Sequence, residues 1–106
     1  MTPTRTTDVV FAALGDPTRI RIVDRLAHRG PATASELARH FPMSRQAVVK
    51  HLGVLSRAGV TSRERAGREV RYRVQTKPLA QAASWIAARG EMWDEALASL
   101  RQHLER

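Results

Sequence analysis

The chain has 106 residues, no cysteine and a formal net charge of +8, which leaves room for one domain with a modest core that dimerisation would help to stabilise. The lack of cysteine excludes a disulfide framework or a redox thiol and makes a cytoplasmic setting the expectation. No run of about 18 apolar residues is present for a membrane span, and the N-terminus has no apolar stretch resembling a secretory signal.

The pattern predicts a single domain over residues 1–106, with residues 1–6 frayed. A first short helix covers Asp8 to Leu14 and packs through Val9, Val10, Phe11 and Leu14. Gly15 stops it, and Asp16-Pro17 opens the next helix as cap and first-turn proline. That helix runs to about His28 with Ile20, Ile22, Val23 and Leu26 directed inward, and Gly30-Pro31 end it. Thr33 to Glu36 is a capping-box sequence for a third helix from Ala34 to Phe41. Pro42-Met43 then leads into a helix capped by Ser44 that stops near Ala58-Gly59. Residues 33–57 thus form a helix-turn-helix.

After Val60 the period changes. Val70, Tyr72 and Val74 alternate with Arg71, Arg73 and Gln75 behind a turn at Ala66-Gly67, so residues 60–75 read as a two-stranded hairpin with one apolar and one cationic face. From Pro78 to residue 105 a last helix is expected. Leu79, Ala83, Ile86, Gly90, Trp93, Leu97, Leu100 and Leu104 alternate steps of four and three, a heptad seam suited to pairing with another chain. Gly90 is its weak point. The fold class is mainly α with a two-stranded β wing, a winged helix-turn-helix.

The charge is concentrated where this motif lies. Residues 30–77 carry ten basic and three acidic side chains, while residues 78–106 carry three and four, so the middle would hold a polyanion. Behind Ser44, the apolar residues Val48, Leu52 and Leu55 give one buried face, and Arg45, Gln46, Val49 and Lys50 point the other way. No Asp or Glu occurs between Leu37 and Arg63. A helix with an apolar back and a basic, amide-bearing front is one a DNA major groove can accept: Arg and Lys bridge to guanine, Gln pairs with adenine, and Val49 meets a thymine methyl. Ser44 and the helix N-terminus suit a phosphate. Arg65, Arg68 and Arg71 of the hairpin are read as phosphate contacts, beyond what protecting a sheet edge needs. Arg63 and Arg73 are set aside as partners for Glu64 or Glu69. His51 either steadies its helix against its neighbours or reaches a phosphate.

Several other chemistries find no support. His28, His40, His51 and His103 are spread over four elements without cysteine, so they read as structural or surface residues, with no metal or other cofactor implied. Trp85 and Trp93 read as core and seam packing rather than as the lining of an inducer pocket. There is no glycine-rich phosphate loop, nucleophile elbow or clustered acid/base pair, so no enzyme is implied.

Together, Gly-Asp-Pro-Thr-Arg at 15–19, Ser-Arg-Gln-Ala-Val-Val-Lys-His-Leu at 44–52, Val-Leu at 54–55, Ala-Gly-Val at 58–60 and Gly-Arg-Glu-Val-Arg-Tyr at 67–72 resemble the ArsR/SmtB family of bacterial winged helix-turn-helix repressors. The resemblance spans about Val9 to Leu104. It implies a homodimer built from the first and last helices that binds an inverted-repeat operator in double-stranded DNA and releases it to an inducer. Val10, Leu14, Leu79, Ile86, Trp93, Leu97, Leu100 and Leu104 would form that interface. Metal-sensing members carry cysteines around the third helix, or Asp and His in the last. Residues 35–39 have no cysteine and the last helix offers only His103, so the resemblance is to the branch without a metal site. Two other readings share parts of this pattern: a sequence-indifferent architectural DNA binder, which has no need of Gln46 and Val49, and a winged helix whose arginines meet an acidic protein.

Overall fold

The computed structural model describes residues 5–104. In chain order it contains α1 (Arg5–Ala13), α2 (Pro17–Arg29), β1 (Ala32–Thr33), α3 (Ala34–Ala38), α4 (Arg45–Arg57), β2 (Thr61–Ala66), β3 (Glu69–Val74) and α5 (Thr76–Leu104). This is a winged helix-turn-helix. Helix α1 begins at Arg5, so helix covers the last two of the residues expected to fray; residues 1–4 lie outside the described part.

The caps set the helix starts. The Asp16 carboxylate accepts from the N–H groups of Thr18 and Arg19, at 2.8 and 3.2 Å, with Pro17 in the first turn. The Thr33 hydroxyl accepts from Glu36 N–H at 3.0 Å, and the Ser44 hydroxyl from Ala47 N–H at 3.1 Å. Helix α3 stops at Ala38, short of the expected Phe41. The chain tightens there, with His40 N–H donating to Leu37 O three residues back. Pro42 disfavours helical backbone at Phe41 and has no N–H of its own to continue the ladder.

The core is made by Ile22 and Leu26 of α2, Leu37 of α3, Val48, Leu52 and Leu55 of α4, Val60, and Val10 of α1. Two residues expected inside lie at the surface. Ile20 is 46% exposed, because at 3.6 residues per turn it sits about 160° around α2 from Ile22; Arg19 takes the inward position instead. Val9 is exposed for the same geometric reason, next to the buried Val10.

The hairpin pairs Thr61 with Val74 through to Ala66 with Glu69. Its loop is Gly67-Arg68, with positive φ at Gly67 alone (64°), the glycine-first form whose twist suits antiparallel strands. A strand too short to leave a periodic signal, β1, pairs with the far edge of β3 through Ala32–Tyr72 and Thr33–Arg71, so the hairpin belongs to a three-stranded sheet of order β1-β3-β2. The Ser56 and Thr61 hydroxyls, 2.9 Å apart, tie the end of α4 to the start of the wing.

Helix α5 starts at Thr76 and continues through Gly90. Its first half packs on α1: Ala82 is buried, Leu79 is half-buried on the core, and Trp85 meets Phe11 edge-to-face with ring centroids 5.6 Å apart. Its second half projects. The chain measures 68 × 26 × 20 Å with a radius of gyration of 18.1 Å, against about 13 Å for a compact chain of this length.

Candidate nucleic-acid interface

Helix α4 turns one face to the core and one outward. Val48, Leu52 and Leu55 are fully buried, while Arg45, Gln46, Val49 and Lys50 form two adjacent i,i+4 rows on the exposed side. Ser44 stands exposed at their head. Arg45 is steadied by a bond from its Nε to Ser35 Oγ at 3.1 Å, which also ties α3 to α4. His51 is turned toward the body of the domain: half-buried, with Nδ1 3.5 Å from Arg19 Nη1. Of its two readings, this geometry is that of a residue bracing its helix.

The wing is less uniformly cationic than its alternation suggested. Directly opposed residues share a face, so the register puts Arg71 with Glu64, and Arg73 with Ser62, on the side that also carries Glu69. Arg71 lies 3.0 Å from Glu69 and 3.5 Å from Glu36, and Arg73 lies 3.3 Å from Glu64. Arg71, expected as a phosphate contact, is therefore neutralised between two carboxylates. Arg65 and Arg68 are exposed near the wing tip, where Arg65 Nε makes one long bond to Gly67 O at 3.4 Å. Arg63, expected to pair with an acid, is exposed and makes no ion pair among the described residues.

Between α3, the start of α4 and the wing lies a groove of about 670 Å³. Arg45 and Val49 form one wall, Arg63 and Arg68 another. Arg25 of α2 and Arg39 also line it; the sequence pattern singles out none of Arg25, Arg39 and Arg63 as a site residue. The signal for Arg63 was available, since a residue opposite Tyr72 in a hairpin shares its face. Arg25 gave none, because it lies outside the helix-turn-helix.

The residues assigned to an interface with a second copy divide. Val10 has no exposed surface and is taken up by the chain's own core, so it has nothing to offer a partner; Leu14 and Leu79 are half-buried. Ile86, Trp93, Leu97, Leu100 and Leu104 are exposed, Trp93 by 69% and Leu104 by 74%. No group of three or more metal-ligating side chains occurs among the described residues, and no helix there is long and apolar enough to cross a membrane.

Residues 14–63 match the family model described as a helix-turn-helix domain. The chain is 38% identical over 77 residues to the transcriptional repressor SdpR of Bacillus subtilis, covering 73% of this chain and 84% of that protein. It is 37% identical over 105 residues to the HTH-type transcriptional regulator Rv2034 of Mycobacterium tuberculosis, covering 99% of this chain and 94% of that protein. Among solved structures it resembles an ArsR-like transcriptional regulator from Rhodococcus sp. RHA1, with a TM-score of 0.78 and 40% identity over 92% of this chain and 91% of that one. In sequence and in fold, the chain belongs to the ArsR family of winged helix-turn-helix transcriptional regulators, which are DNA-binding proteins and not enzymes.

Proposed function

We propose that the chain is a homodimeric repressor that reads an inverted-repeat operator and silences transcription by occupying it, in the cytoplasm. The observation that carries this reading is the exposed, acid-free face of α4, where Arg45, Gln46, Val49 and Lys50 stand together with no ion pair among the described residues. The wing arginines Arg65 and Arg68 add sequence-independent contacts. Dimerisation is supported by the stripe on α5: Ile86, Trp93, Leu97, Leu100 and Leu104 are large, apolar and uncovered, which a lone soluble chain avoids. A two-fold axis through that stripe would cover it and space two reading helices for successive major grooves. Repression is the activity named for the Bacillus relative. Lacking cysteine, the protein is proposed to respond, if to an inducer, without a metal.

Selection of duplexes from a random pool by the full chain tests the reading. It should recover an inverted repeat with half-site centres about 10 base pairs apart, one helical turn. Binding without enrichment would instead mark an architectural protein, and no binding at physiological salt would mark a protein-interaction module.

A further inference from the structure

We infer that Arg25, on α2 and outside the helix-turn-helix, is a DNA-backbone phosphate contact that lines the groove between α4 and the wing. The inference rests on the DNA-binding reading above and adds a residue from a different element to it. Arg25 is half-buried, and its Nε and Nη1 are buried with no hydrogen-bond partner among the described residues. Unused donors on a guanidinium removed from water are unfavourable unless an acceptor comes to them. The groove that Arg25 lines is not short of carboxylates, since Glu36 and Glu69 line it as well. Both are held by Arg71, at 3.5 and 3.0 Å, so neither answers Arg25.

The surroundings specify the charge of an acceptor that would suit these donors. Arg39, Arg45, Arg63 and Arg68 line the same space, giving with Arg25 five arginines against two glutamates. A field of that sign, inside a concave wall of low polarisability, favours an anion. When α4 enters a major groove and the wing reaches along the duplex, the strand between them crosses this space. A phosphate there would have Arg25, Arg63 and Arg68 around it, all lining the same space. Guanidinium suits phosphate because its fork of donors matches two oxygens at once.

The test uses the full chain and compares Arg25→Gln, which leaves a shorter polar side chain without the charge, with Arg25→Lys, which keeps the charge. Affinity is read by fluorescence anisotropy on a selected operator and on random duplex over a range of salt. One lost phosphate contact makes the slope of log affinity against log salt shallower by about 0.9, equivalent to about an eightfold loss at 0.1 M relative to 1 M salt. Arg25→Gln should show that change on both duplexes alike, and Arg25→Lys should keep the wild-type slope. A wild-type slope in Arg25→Gln would overturn the inference even while the unaltered protein binds, and so would a loss accompanied by a fall in melting temperature that Arg25→Lys shares. Failure of the unaltered protein to bind any duplex would overturn the DNA-binding reading itself and this inference with it. Replacing chloride by inorganic phosphate at constant ionic strength separates the two sources of phosphate. A backbone site leaves DNA affinity nearly unchanged. A pocket for a free anion would lose DNA affinity in the unaltered protein and not in Arg25→Gln, which would also overturn the assignment to the DNA backbone.

Discussion

Arg19 Nη1 lies 3.5 Å from His51 Nδ1 and joins three elements at one point. The same guanidinium donates from Nε to Ala13 O and from Nη2 to Ala12 O at 3.4 Å, capping the end of α1, and it reaches the Asp16 carboxylate at 4.0 Å. Helix α4 is thereby braced against the element that packs on α5. Removing these charge-assisted bonds in Arg19→Ala should lower stability by about 1.5–3 kcal/mol, and His51→Ala should do less. Urea unfolding checks this; a wild-type midpoint in Arg19→Ala would contradict it.

On α4, Gln46→Ala should lose about 1–3 kcal/mol on the operator and relax discrimination at one base position, with little change on random duplex. Competition titrations against single-base variants of the site would read this directly. Equal losses on operator and random DNA would contradict the role.

The wing separates by charge pairing. Arg68→Ala should weaken binding to all sequences alike and make the salt slope shallower by about 0.9. Changing Arg71 and Glu69 together to Gln removes a cation and its anion, so the slope should stay as in the unaltered protein. A double variant that loses as much slope as Arg68→Ala would show that Arg71 reaches phosphate despite Glu36 and Glu69.

Asp16 makes the stability depend on acid. Burial raises its pKa, but the N–H groups of Arg19 and Thr18, then the charges of Arg19 and His51, outweigh burial, and the pKa lies below the ordinary 3.8. Since the folded-state value is the lower one, the stabilisation is complete above the unfolded-state value and is lost as pH falls through the folded-state value. Asp16→Asn should therefore be less stable than the unaltered protein at neutral pH, with the gap closing below 3.8. Denaturation midpoints across that range check it; a gap independent of pH would contradict the assignment.

What the sequence revealed follows the reach of each interaction. Caps are local, so Asp16-Pro17, Thr33 and Ser44 mark helix starts directly, and the three-four spacing of Val48, Leu52 and Leu55 marks the buried side of α4. Features that depend on distant residues were hidden. The pairing of Arg71 with Glu36 spans 35 positions and exists because β1 lays the start of α3 beside β3. Two residues of β1 carry no period. On α2 the adjacent apolar residues Ile20, Ile22 and Val23 leave the inward face ambiguous in the sequence, and Ile20 lies outside. Arg25 is distinguished only by its unpartnered donors and by the groove it lines, which α3, α4 and the wing build.

The α5 stripe predicts the assembly. Leu97 and Leu100 are exposed on one chain, so changing both to Glu leaves that chain's core intact while placing like charges in the seam. Sedimentation should show a monomer, and operator binding should be lost although every residue facing DNA remains. A double variant that still binds operator as a dimer would contradict the seam.

Sequence-specific recognition by a pair of chains is checked by a stoichiometric titration of the full protein against the selected inverted repeat, a single half-site and a random duplex. At physiological salt two chains should bind each inverted repeat, the half-site should bind more weakly, and random duplex should bind at least about 10³-fold more weakly than the operator. One chain per duplex, or equal affinity for all three, would contradict it.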